Sequence, residues 1–183
     1  GLPFVGGLYG DLLAWLESEG IPLWLSLSDT DPAQAMTPLA RFPDLVTVLV
    51  GVHYVHYPFV RPFLRSVPTA VMELSRYEIM GQVERLLEEF GCERFVYGSY
   101  YPRYSMGEIL FYLHHIELSP TELAMICAGN LERILQAMGQ EAPDAKPIME
   151  INADHPLIKQ LAPEHEGLEE WSMVLFDQAA LSE

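Results

Sequence analysis

His53 and His56, in the run His53-Tyr54-Val55-His56, are the pair with the most obvious chemical potential in the sequence. One turn of helix puts residues at this spacing on the same side, where two imidazoles can share a zinc ion. A stable zinc site takes three or four ligands, so the pair by itself reads better as a solvated loop of histidine and aromatic side chains. The expected cofactor is therefore none, with zinc as the alternative. Glu73, Arg76, Tyr100 and Arg103 each fall at or just after the end of an apolar run. A carboxylate, two guanidiniums and a phenol at such places can line a polar pocket for a small molecule of unspecified identity. With His53 and His56 they make up the candidate pocket, and no residue is assigned a catalytic role. Cys92 has Glu88, Glu89 and Glu93 close by, and negative charge raises a thiol's pKa and weakens it as a nucleophile. Cys127 lies in an apolar stretch and reads as core. His114 and His115 are neighbours in a helical pattern, so they face different ways. Asp29 and Asp31 read as turn and helix-cap residues.

The elements that must position these groups follow from the hydrophobic pattern. Leu12, Leu13, Trp15 and Leu16 mark an amphipathic helix that ends at Glu19-Gly20, a glycine cap. Residues 22–27 read as a buried strand, and Asp31-Pro32 opens a second helix with proline in its first turn. Then come a strand over 45–52, a helix over 58–64, a strand over 69–74 and a helix over 79–90. A strand over 94–99 precedes helices over 106–116, 120–127 and 130–138, the middle one capped by Ser119 with Glu122 three positions on. Strands that are apolar throughout, each followed by a helix, imply a parallel sheet covered by helices. Four such units are present, and a complete eight-stranded barrel takes about 250 residues. The fold expected is α/β, a partial (half) TIM-type barrel with a small, mostly helical C-terminal appendage. Leu23, Leu25, Leu49, Val71 and Phe95 are the expected members of its inward face.

The chain has 183 residues, with 10 Lys and Arg against 26 Asp and Glu, a net charge of -16. Such a balance disfavours nucleic acid, whose binding needs clustered cations, and an anionic membrane surface likewise. The apolar runs are too short for a membrane span. With two cysteines and no basic segment leading into an apolar stretch, a cytoplasmic protein without a signal peptide is expected. Residues 1–140 hold 8 basic and 16 acidic residues, whereas residues 141–183 hold 2 and 10. The shift begins at Gly139-Gln140-Glu141-Ala142-Pro143-Asp144, which reads as a linker. The expected domains are accordingly 1–140 and 141–183.

Several motifs carry a resemblance. Phe42-Pro43-Asp44-Leu45, then Leu86 to Gly91, then Glu93-Arg94-Phe95-Val96-Tyr97-Gly98-Ser99-Tyr100-Tyr101-Pro102 occur in that order. They are followed by Leu118-Ser119-Pro120-Thr121-Glu122-Leu123 and Gly129-Asn130-Leu131-Glu132-Arg133-Ile134-Leu135. Together, over about residues 12–135, they resemble the C-terminal half of the amidohydrolase-related metal-dependent hydrolases. The resemblance implies a barrel with a metal, often zinc, at the C-terminal ends of the strands, where a bound water attacks in hydrolysis or decarboxylation. It also implies that the ligands are lost. Ser26 and Gly51 stand where the family has histidines, and Tyr100 stands where it has the ligating, proton-transferring aspartate. Serine, glycine and tyrosine do not replace two imidazoles and a carboxylate around zinc.

A second resemblance begins in the same final helix. Leu131 to Pro143, Lys146-Pro147-Ile148-Met149-Glu150-Ile151-Asn152-Ala153-Asp154-His155-Pro156-Leu157-Ile158-Lys159 and Leu175-Phe176-Asp177-Gln178-Ala179-Ala180-Leu181 resemble the bacterial ninety-kilodalton heat-shock chaperones. About residues 131–183 are similar to part of that family's C-terminal dimerisation domain. Within them the extended run over 146–152 and the helical spacing of Trp171, Val174 and Leu175 predict a short strand followed by two helices, the longer over about 163–181. The two resemblances together imply a chimera. The function expected is that of a non-catalytic, barrel-derived binding or dimerisation protein, most simply a homodimer. The alternatives are a metal-dependent, amidohydrolase-like hydrolase or decarboxylase with a rebuilt site, and a fragment with a chaperone-type dimerisation role.

Overall fold

The computed structural model describes residues 4, 6–105 and 107–139. The strand expected over 146–152 and the helix over 163–181 lie outside the described residues. Helix α1 (Gly6–Ser18) leads into strand β1 (Leu23–Ser26), α2 (Pro32–Leu39) and β2 (Thr47–Val50). A 3-10 turn at Tyr54–His56 runs into α3 (Tyr57–Ser66), then β3 (Ala70–Glu73) and α4 (Gln82–Phe90). A second 3-10 turn (Cys92–Arg94) precedes β4 (Phe95–Val96), α5 (Gly107–His115), α6 (Pro120–Ala124), a π turn (Met125–Gly129) and α7 (Asn130–Ala137).

Local chemistry sets the helix starts. The Asp31 carboxylate accepts a 2.9 Å hydrogen bond from the Ala33 amide, satisfying a donor that the helix itself leaves open. At α6 the Ser119 amide donates to Glu122 Oε2 at 2.8 Å and the Glu122 amide donates to Ser119 Oγ, a reciprocal capping box.

The strands form one parallel sheet in the order β1-β2-β3-β4, so sequence neighbours are spatial neighbours. The fold is α/β and corresponds to part of a TIM-type barrel wall. Period-two alternation divides its residues between two faces. Leu25, Leu49, Met72 and Phe95 are in register across the four strands and belong to the core shared with the helices, where Leu13, Leu39, Phe63, Leu86 and Leu113 are also buried. Val48 and Val71 are paired on the other face, in a second buried cluster with Val96 and Ile134, against which Val46, Val50 and Leu131 pack.

This division corrects the expected inward face. Of Leu23, Leu25, Leu49, Val71 and Phe95, only Val71 belongs to the cluster on the face covered by α7, and the rest pack into the core on the other face, shared with the earlier helices. Strands apolar on both faces carry no alternation from which to read parity, and register depends on the connecting helices. Two further corrections concern lengths. Strand β4 pairs over two residues rather than along 94–99, because the Tyr97 amide leaves the ladder and donates to the Ile126 carbonyl at 2.8 Å. The helices expected over 120–127 and 130–138 are joined by the π turn into one helical run.

The N-terminal ends of the strands are tied together by side chains. Arg94 donates to the carbonyls of Ala70 (2.6 Å), Leu64 and Val67 (both 3.1 Å). Asn130, 1% exposed, donates to Cys92 O at 2.8 Å and Phe95 O at 2.9 Å, which fixes the start of α7 against β4.

Candidate functional site

In barrels of this kind the chemistry sits at the C-terminal ends of the strands. Ser26 ends β1, and its hydroxyl donates to Asp29 Oδ2 at 2.8 Å. Ser28 donates to the Gly51 carbonyl at 3.3 Å. Gly51 follows β2 with φ +64°, and a Cβ there would lie 3.0 Å from Ser28 Oγ and 4.0 Å from Ser26 Oγ. The first two of the three expected ligand positions are therefore neighbours. The third, Tyr100, lies in the loop after β4 with φ 56°, its ring 5.7 Å from that of Tyr104.

Glu73 ends β3 and is 8% exposed. Its carboxylate accepts from the Ser75 amide at 2.6 Å and the Ser75 hydroxyl at 2.8 Å. A Cβ at Gly98 would come within 1.9 Å of Glu73 Oε1, so the chain after β4 passes this carboxylate only because residue 98 has no side chain. Burial raises the Tyr97 pKa, a Ser99 hydrogen bond opposes the rise, and the charges of Cys127 and Glu73 add to it. Arg76 is paired with Glu78 and lies 3.7 Å over the Tyr104 ring. Tyr104 thus links two predicted residues, Arg76 and Tyr100. Arg103 joins them through its backbone, its amide donating to the Tyr100 carbonyl at 3.1 Å.

His53 and His56 do come together. The His53 amide donates to His56 Nδ1 at 3.0 Å, and the His53 ring lies against Tyr54, 4.0 Å between centroids. The His56 pKa is held below its usual value by burial and by His53, against a hydrogen bond to the Leu27 backbone that raises it. The structure thus brings His53 and His56 together, and Arg76, Tyr100 and Arg103 together around Tyr104 and its loop.

Nδ1 of His56 is occupied, Ser26 is bonded to Asp29, and Gly51 offers no donor atom. Among the described residues no group of three or more His, Cys, Asp or Glu side chains converges to hold a metal. Sequence reasoning missed Ser28, Ser75, Gly98 and Tyr104, which bind or crowd the predicted residues. The Gly98-Ser99 pair was a usable signal, since a glycine just past a strand often marks a close approach.

At the other end of the strands, a cleft of about 470 Å³ is lined by Glu84, Glu88, Cys92, His115, Glu117 and Glu122, among others. The Cys92 thiol pKa is raised, first by burial and then by Glu93 and Glu122. Burial raises that of Cys127 too. Neither thiol is primed as a nucleophile. His115 Nδ1 hydrogen-bonds the Phe111 carbonyl at 2.6 Å, with its ring stacked on Phe111.

No known family model matches the chain. A 56-residue segment is 50% identical to the chaperone protein HtpG of Nitrosomonas europaea, and a 55-residue segment is 54% identical to that of Ruthia magnifica. Each match covers about 30% of this chain but only 9% of the chaperone. The chain thus contains an HtpG-like segment and spans a small fraction of those proteins. Its fold is similar to that of an uncharacterized TIM-barrel protein from Bordetella bronchiseptica, with a TM-score of 0.58 and 23% identity, over 72% of this chain and 51% of that one. Among the described residues no helix is long and apolar enough to cross a membrane.

Proposed function

We propose that the chain is a non-catalytic half-barrel of the amidohydrolase-related type, over residues 1–140, that works by binding or self-association. The observation that carries this reading is the open sheet. Among the described residues its strands β1 and β4 are edges, and the fold match extends over 51% of a barrel protein. Two copies related by a two-fold axis would bring eight strands together and pair the backbone groups of both edges. Trp24, 47% exposed on edge strand β1, offers apolar area to such a contact. The net charge of -16 opposes association. At physiological salt, however, charge is screened over about 8 Å.

Sedimentation at micromolar concentration tests the assembly. The expected species has twice the 20.7 kDa chain mass, and a well-folded monomer would contradict it. Elemental analysis tests the lost metal site, since Ser26, Gly51 and Tyr100 stand where the resemblance puts two histidines and an aspartate. The expected zinc, manganese or iron content after dialysis is far below one equivalent, with ester and amide substrates hydrolysed no faster than in buffer. A stoichiometric metal that survives dialysis would favour the alternative, an amidohydrolase-like hydrolase or decarboxylase using His53 and His56.

The HtpG-like segment supports a second reading, in which residues 141–183 supply a chaperone-type dimer contact. Truncation after residue 140 separates the two. Dimers that persist point to the sheet edges, and dimers that vanish point to the segment.

A further inference from the structure

The two edges of the sheet differ in what their outward backbone groups already meet. Successive residues of a strand turn their N–H and C=O to opposite sides. On β4 the Val96 carbonyl accepts from the Leu74 amide at 3.1 Å, on the β3 side, so the backbone groups of Phe95 and Tyr97 point outward. The chain itself meets them. The Phe95 amide donates to the Cys92 carbonyl, the Phe95 carbonyl accepts from Asn130 at 2.9 Å, and the Tyr97 amide donates to the Ile126 carbonyl at 2.8 Å. On β1 the Leu23 and Leu27 amides donate to Val46 (2.9 Å) and Val50 (3.0 Å) on the β2 side, so the groups of Trp24 and Ser26 point outward. Among the described residues the one backbone bond to this pair is a turn contact, from the Asp29 amide to the Ser26 carbonyl at 3.3 Å. Of the two edges, β1 is the one free to pair.

We propose that β1 pairs with β1 of a second copy, antiparallel across a two-fold axis, through the backbone groups of Trp24 and Ser26. This rests on the self-association proposed above and assigns it to one edge. An exposed edge without charge is a template for another strand, and with β4 occupied the pairing stops at two copies. Apolar side chains flank the edge on both faces of the sheet. Trp24, in register with Val48, stands on the face that α7 covers. On the other face lies α1, separated from β1 by four residues, with Leu13 in that core and Leu8, Leu12 and Trp15 exposed by 72%, 48% and 52%. Their spacing, i, i+4 and i+7, makes one stripe of the kind that packs helix against helix. Half the area of two leucines and two tryptophans is roughly 400 Å² per copy, about half of what each partner of a stable complex buries, and the strand edges add to it. Charge favours a like partner as well. Strand β1 has no charged residue, and of the two carboxylates on α1 Glu17 already accepts from the Asp44 amide, which leaves Asp11. A basic partner would find little to hold here, whereas a second copy of an otherwise acidic chain meets little repulsion.

Sedimentation of the full chain, together with amide exchange followed by NMR, tests it. The wild type is expected to dimerise in the micromolar range, and Leu12→Glu and Trp24→Lys, both at exposed positions, should each weaken the dimer at least about tenfold. Phe111→Glu, at an exposed site on α5 after β4, should leave it unchanged. The Trp24 and Ser26 amides should exchange faster on dilution, while the Tyr97 amide, bonded within the chain, should exchange at the same rate at every concentration. A wild type that stays monomeric to about 100 μM overturns both this assignment and the self-association it rests on. A dimer that tolerates Leu12→Glu and Trp24→Lys, or whose Trp24 and Ser26 amides exchange independently of concentration, overturns the assignment alone. So does a dimer that Phe111→Glu weakens as much as Trp24→Lys, since that result places the contact at β4.

Discussion

The two ends of the sheet are held in different ways. At the N-terminal ends of the strands, side chains reach far along the chain. Thr69 bonds the Leu45 carbonyl and Arg94 that of Ala70, each 24 residues away. Asn130 reaches back 38 residues to Cys92, and Arg133 reaches back 40 to Glu93. At the C-terminal ends the bonds are mostly local. Ser26 to Asp29 and His53 to His56 span three residues, and Glu73 to Ser75 spans two. Ser28 to Gly51, across 23 residues, and the Tyr97 amide to the Ile126 carbonyl are exceptions. Long-range bonds hold separate elements together, whereas local ones only shape a loop. The end that maintains the fold and the end that would carry chemistry are thus under separate control, and residues at the second can change without loosening the first.

Unfolding by urea can break this contrast. The largest effect is expected for Arg94→Ala, which strips three carbonyls of their partner and should cost about 3 kcal/mol. Asn130→Ala removes the two bonds that it donates at a buried position, and a longer one accepted from Arg133, and should cost about 2 kcal/mol. Gly51→Ala is the strongest test at the C-terminal end. A side chain at φ +64°, crowded by Ser28, should cost about 1–2 kcal/mol. Ser26→Ala, which loses only a bond within its turn, should stay within about 0.5 kcal/mol. A Ser26→Ala cost equal to that of Asn130→Ala would refute the asymmetry.

The smallest expected effect is a pH dependence. The folded His56 pKa lies below its usual 6.5, mainly through burial and secondarily through His53. The unfolded state therefore binds more protons, and stability rises with pH in this range. The His56 contribution is complete above pH 6.5 and is lost as the pH falls through the lower folded value. Urea midpoints measured between pH 5 and 7 should show this slope, and His56→Gln should flatten it.

Much of the scaffold was legible. Asp31-Pro32 and Ser119 with Glu122 announced helix starts because caps act within a few residues. Continuous apolar runs announced a parallel sheet. Leu25, Leu49 and Phe95 were placed on the wrong face because an all-apolar strand looks the same from both sides. The ends of β4 and α6 were misjudged because both depend on one long-range bond, from Tyr97 to Ile126. At the candidate site, residue types such as Glu73 and Arg76 stood out, but their partners did not. Ser75, Gly98 and Tyr104 are ordinary loop residues until the fold sets them beside a carboxylate or a guanidinium.

The π turn at Met125–Gly129 is a phase element. An α-helix advances about 100° per residue. The wider π turn takes up one residue more than an α turn does, so the helix beyond it keeps its phase. That phase points Asn130 at the Cys92 and Phe95 carbonyls and Ile134 at the valines of the sheet. A further residue inserted there would exceed what the turn absorbs, rotate α7 by about that angle and unseat it. Within the turn Ile126 is fully buried, so substitution at that position is felt in the core as well.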